Sequence, residues 1–220
     1  MTEFQKLIEA IENLLEQEMS SIFSMEKFKS LIPREQMEYA LDTLQILSNE
    51  GGGRVVFDLG ENKVLKVARD NKSYLNGVSQ NKKELAQYPK LKQLNIVPEI
   101  FDYDKDNFNW IIAEKVSVFS TDKDFESQTG IFWDEMESLF RDNGPITKFG
   151  VDKILNPESY PNETEEILNA TDFGEEGVNH KLISALLKAV KNGLRQEEIL
   201  VPSHFGLTKN GDVVIVDFGY

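Results

Sequence analysis

The chain contains no cysteine and only two histidines, His180 and His204. That excludes a disulfide scaffold, a thiolate metal site and the His or Cys cluster of structural zinc. It is also poor in positive charge, with 24 Lys and Arg against 38 Asp and Glu, a formal net charge of −14 and a sequence pI near 4.7. Nucleic acid and anionic membrane surfaces attract surplus Lys and Arg, so neither is an expected partner. No run approaches 18 apolar residues, and residues 1–19 hold no cationic stretch followed by an uninterrupted apolar core. Neither a membrane-spanning helix nor a leader is therefore expected, and the expected location is the cytoplasm. Repeats and low-complexity tracts are absent as well. What is present suits a packed soluble protein: 220 residues, 40% hydrophobic and 28% charged, with 14 Phe.

Residues 3–20 place Phe4, Leu7, Ile8, Ile11, Leu14 and Leu15 at three- and four-residue steps, the period of an amphipathic helix. Further helices are expected from Ser24 to Leu31, where Pro33 cuts the pattern, and from Arg34 to Leu47. Over residues 1–50 there are 10 acidic against 4 basic residues, so these helices present acidic faces with nothing for a phosphate backbone. Gly51-Gly52-Gly53 then breaks the period. Residues 54–59 and 63–68 read as a hairpin around Gly60-Glu61-Asn62, residues 81–93 as a helix, and 97–103 and 108–113 as two more strands. Residues 121–180 carry 15 acidic against 4 basic residues with many breakers, and short helices with long acidic loops are expected. An apolar helix over 182–190 follows, and then Phe205–Thr208 and Val213–Val216 around an Asn-Gly turn.

Three places carry chemistry. Gly51, Gly52 and Gly53 would let backbone amides approach a phosphate; a helix stop and linker is the alternative. Lys66 sits mid-strand among apolar neighbours, where a charge is costly without a partner, unless it snorkels from an edge strand. Asp217 is delivered to the end of four consecutive aliphatics, a place for a divalent metal ligand or an ordinary turn residue.

The order and spacing of these residues resemble the eukaryotic-like protein kinase fold. The likeness rests on the Gly-led hairpin with Gly53-Arg54-Val55, the lysine in Val64-Leu65-Lys66-Val67-Ala68, Glu84 on a helix 18 residues later, Ala113-Glu114-Lys115-Val116 as a hinge, and Asp217-Phe218-Gly219. Residues 53–84 also resemble kinase-like proteins of bacteriophages. The resemblance implies an α+β fold with three parts: a helical N-terminal extension (1–48), a small antiparallel sheet lobe with one helix (49–116), and a minimal helical lobe ending at Asp-Phe-Gly (117–220). It implies ATP and Mg²⁺ as ligands, with Lys66 on the phosphates, Glu84 orienting it, Asp217 on the metal, Gly51, Gly52, Gly53 and Val55 around the nucleotide, and Glu114 and Val116 meeting adenine.

Two departures bear on activity. The positions 18 and 13 residues before Asp217, where the family has its base Asp and metal-binding Asn, are Ile199 and His204. A one-residue shift would offer Glu198 as base, against the alternative of a solvated helix end, and His204 would serve as a weaker metal or phosphate ligand. Nothing follows Tyr220 in this sequence, so the family's peptide platform is not expected. The leading expectation is a pseudokinase-type ATP-binding module that meets a protein partner of basic character. The alternatives are a working minimal phosphotransferase, by protein phosphorylation or nucleotidyl transfer, and a purely structural protein. Whether it is an enzyme, and its oligomeric state, stay open at this level.

Overall fold

In a computed structural model the described residues are 23–49, 53–69, 74–141 and 180–219. The expected helix over 3–20, Gly51, Gly52 and most of the acidic stretch lie outside them. The fold is α+β, with antiparallel sheets and several helices. The chain divides into two units. One runs to Lys82 and resumes over Ile100–Lys115; the other comprises Lys83–Glu99 and the chain from Val116 onward.

In the first unit, helix α1 (Met25–Ser30) is capped by Ser24, whose hydroxyl accepts from the Lys27 amide at 3.3 Å. Helix α2 (Pro33–Thr43) opens on a proline, which fixes φ where no amide partner is needed. The helix expected up to Leu47 stops short. Leu44 is extended, and Ile46–Ser48 form strand β1, paired antiparallel with β2 (Arg54–Gly60). The free edge of β2 supplies hydrogen bonds that outweigh the helical period of these residues. The expected hairpin is present, with β2 joined to β3 (Lys63–Ala68) through Glu61 and Asn62 at φ +48° and +60°. Two left-handed residues give a turn whose twist matches that of the strands. Strands β4 (Ile100–Tyr103) and β5 (Trp110–Glu114) complete a sheet of order β1-β2-β3-β5-β4, in which β3 is central.

Alternation along the strands puts Val55, Phe57, Leu65, Val67 and Ile112 on one face, and Phe28 of α1, Met37 and Ala40 of α2, and Leu44 just beyond α2 cover it. The N-terminal helices thus share a core with the sheet. A buried amide relay pins them: Asn109 donates to Gln36 Oε1 at 2.6 Å, and Gln36 donates to the Phe28 carbonyl at 3.1 Å. Helix α3 (Tyr74–Lys92) starts well before the expected residue 81. Its early turns lie against Gly53: a Cβ added at Gly77 would stand 2.1 Å from the Gly53 carbonyl oxygen.

The second unit holds the C-terminal part of α3 and a three-stranded antiparallel sheet of β6 (Ser117–Val118), β7 (Phe205–Leu207) and β8 (Val213–Ile215). Its helices are α4 (Asp122–Thr129), α5 (Trp133–Phe140), α6 (His180–Lys191) and the single turn α7 (Gln196–Ile199). Thr121 and Asp124 close a capping box on α4. Phe125 anchors the core, meeting Phe119, Trp133 and Phe205 edge-on at centroid distances of 6.1, 5.1 and 5.0 Å. Among the described residues no helix is long and apolar enough to cross a membrane.

The close approach of α3 to Gly53 sets a test. Gly77→Ala gains about 1 kcal/mol of helix propensity but forces a methyl group into a backbone carbonyl, an overpacking worth roughly 1–3 kcal/mol. The backbone must move, so net destabilisation is expected, read as a lower denaturant midpoint with an unchanged slope.

Candidate functional site

Lys66 lies on the central strand β3, directly opposite Val56 and Ile111, and is only 6% exposed. The edge-strand snorkelling alternative is therefore ruled out by the sheet order. Residues directly opposite one another share a face, so Val56 and Ile111 accompany Lys66. Val55 pairs with Val67 and turns into the core under α1 and α2, 2% exposed. Val56, rather than Val55, is the residue that shares the Lys66 face.

Gly53 is also placed by packing. A Cβ there would meet Gln80 Oε1 at 2.7 Å and the Gly77 amide nitrogen at 3.0 Å, so its open side is filled by α3. Of the expected glycine cradle, Gly51 and Gly52 are outside the described residues, and Gly53 serves as a contact for the helix. Next to it Arg54 donates to Asn81 Oδ1 at 3.1 Å, and Asn81 donates to the Phe108 carbonyl at 2.8 Å. This buried bridge ties β2, α3 and the entrance to β5 together. Glu114 ends β5, half-buried and opposite Lys63. The passage from one unit to the other falls between Lys115 and Val116, within the expected hinge. Val116 and Ser117 crowd Gly206, where a Cβ would come within 2.6 Å of Val116 Cγ1 and 2.5 Å of the Ser117 carbonyl. Glu84 is fully buried in α3 and belongs to the second unit, whereas Lys66 belongs to the first.

The second unit gathers the remaining expected residues. Ile199 is fully buried in its hydrophobic core, so this position offers no polar group. Glu198 is buried too, but its carboxylate is answered by two cationic or donor groups: Oε1 lies 3.3 Å from Arg195 Nη2, and Oε2 lies 3.3 Å from His204 Nδ1. The Glu198 carbonyl also accepts from His204 Nδ1 at 3.1 Å. A carbonyl and a carboxylate are both acceptors, so Nδ1 carries the ring proton. His204 in turn is fixed by the backbone, its carbonyl accepting from the Val216 amide at 2.8 Å. Asp217 is the next residue, half-buried, followed by Phe218, fully buried in the core. Glu198, His204 and Asp217 therefore sit at one end of the β7-β8 pair.

Burial pushes the Glu198 carboxyl above its ordinary value, and Asp217 adds to the rise, while His204 and Arg195 oppose it. The arrangement differs from the expected one in what Glu198 faces, which is an imidazole. Nothing in the local sequence signals this pairing, because the kink at Pro202 closes it. The same geometry bears on Mg²⁺. Asp217 supplies the hard oxygen such an ion takes, and Mg²⁺ is commonly held by one or two carboxylates together with phosphates. His204 does not fit as its ligand, since an imidazole is a poor match for Mg²⁺ and Nδ1 is committed to Glu198. Among the described residues no group of three or more His, Asp or Glu is placed to hold a metal ion.

The raised carboxyl has a measurable consequence. The folded protein holds the Glu198 proton more tightly than the unfolded chain, whose ordinary value is 4.5. The stability this group lends is greatest below that pH and falls as pH rises through the folded value. Glu198→Gln imitates the protonated form, so its unfolding free energy relative to wild type should grow from about pH 4.5 upward. Denaturant unfolding at several pH values reads this directly; a constant difference would contradict it.

No protein-family model matches this chain, and no curated protein matches it.

Proposed function

We propose that the chain is a kinase-like module that binds ATP with Mg²⁺ and works by engaging a protein partner of basic character. The single observation that carries this reading is Lys66, a cation kept almost out of water on the central strand of an antiparallel sheet. A hydrophobic residue would cost less at such a position, so its retention suits a group that grips phosphate oxygens. Asp217 would hold Mg²⁺ through its carboxylate, and the bound ion would neutralise phosphate charge. Glu114 and Val116 lie where the chain leaves the first unit, and Val56 shares the face of Lys66. The net charge of −14 supports the choice of a basic partner.

A second reading, an active phosphotransferase, is favoured by one observation, the buried Glu198–His204 pair beside Asp217.

The test is a thermal melt with and without Mg²⁺-ATP. A ligand that binds only the folded state adds about 2.7 kcal/mol at a concentration one hundred times its Kd. Lys66→Ala should remove most of the upward shift in melting temperature, and Asp217→Asn should remove its dependence on Mg²⁺. A wild type unmoved by millimolar Mg²⁺-ATP would leave the structural alternative standing.

A further inference from the structure

We infer that His204 is the proton acceptor of an ATP-consuming reaction, and that Glu198 is the positioning residue that prepares it. The inference deepens the second reading above, the active phosphotransferase, and rests on it, since the nucleotide is the substrate. The sequence offers no carboxylate at the position of the base, because Ile199 is consumed by the core. Glu198 comes nearest in sequence but is unsuited to act alone: only 4% of its side chain is exposed, and both its oxygens already face partners.

What that carboxylate does instead is set the state of the imidazole. With Glu198 Oε2 and the Glu198 carbonyl both accepting at Nδ1, the neutral ring is held with its proton on Nδ1 and a lone pair on Nε2. The two ring nitrogens point apart, so Nε2 lies on the edge away from Glu198. The His204 side chain as a whole is 20% exposed, and Nδ1 is the nitrogen engaged by Glu198. When Nε2 takes a proton, the positive charge that forms is met by a carboxylate 3.3 Å away. The charged groups of the described residues around the pair are Arg195 and Glu197 at the start of α7 and Asp217 beyond β8. The bond from the Val216 amide to the His204 carbonyl puts the His204 backbone beside the residue that precedes Asp217, the proposed Mg²⁺ ligand.

The step balances without another reagent. A hydroxyl oxygen, from water or a side chain, forms a bond to the γ-phosphorus as its proton passes to His204 Nε2. The bond between the γ-phosphorus and the bridging oxygen breaks, ADP leaves with that electron pair, and the imidazolium returns its proton to solvent.

The test uses the full chain and two readouts. Long-range ¹H–¹⁵N spectra of the imidazoles, with His180→Gln identifying the second signal set, should show His204 protonated at Nδ1 and bare at Nε2 without any ligand. The opposite tautomer overturns the inference. The second readout is ADP formation from Mg²⁺-ATP, which counts hydrolysis and self-modification together. His204→Asn should lower it by ~10² or more, the usual contribution of a positioned base. Its thermal shift with Mg²⁺-ATP should stay as in wild type. Glu198→Gln keeps an acceptor for Nδ1–H but loses the charge, so a smaller loss of about tenfold is expected together with a displaced pH profile. A merely structural Glu198 would leave that profile in place. Failure of Mg²⁺-ATP to shift the wild-type melt overturns the nucleotide reading and this inference with it. A normal shift with no ADP formed above the His204→Asn level overturns the inference alone.

Discussion

Removing an ionised side chain from water costs several kcal/mol unless its surroundings answer the charge, and this chain does so at Arg54, Lys66, Glu84 and Glu198. Most of the local architecture can be traced to that constraint. Arg54 is answered by Asn81, and the same amide reaches the Phe108 carbonyl, so a requirement for polar satisfaction becomes a brace across three elements. Glu198 is answered by Arg195 and His204, which holds the α7 turn against the strand that leads to Asp217. Uncharged side chains of similar volume would pack these sites at lower cost. Their presence on elements that are otherwise apolar sets these positions apart from the rest of the core.

The parts of the fold legible in the sequence are those in which local chemistry and tertiary packing agree. The β2-β3 hairpin follows from alternation and a Gly-Glu-Asn turn, and α1 from its serine cap and the proline beyond it. β1 was hidden because Ile46 and Leu47 continue the spacing of Leu41 and Leu44, and only the edge of β2 turns them into a strand. The start of α3 was hidden for a related reason. Asn76 and Gly77 are weak helix formers, and their place in the helix depends on contact with Gly53, which is distant in sequence.

The candidate site shows the same limit. Alternation establishes that Val55 travels with Phe57, and the strand register puts Val56 with Lys66, but neither tells which face α1 and α2 will cover. The pattern of the family the chain resembles, counted back from Asp217, leads to Glu198 and His204. It could not join them, because their meeting depends on a 3-10 turn over Pro202–His204 that returns the ring to the preceding helix. Pairings set by one tight turn leave no periodic trace.

The order of strands in the five-stranded sheet has a consequence for synthesis. The central strand β3 is flanked on one side by β2, which precedes it, and on the other by β5, which emerges only after α3 and the segment to Glu99. During translation from the N-terminus, β3 therefore offers an open hydrogen-bonding edge until some 46 further residues, from Arg69 to Glu114, have left the ribosome. A nascent chain in that interval carries an apolar, unpaired strand edge of the kind that recruits stray β-partners. The α1-α2 pair, made earlier, covers the adjacent face of the sheet.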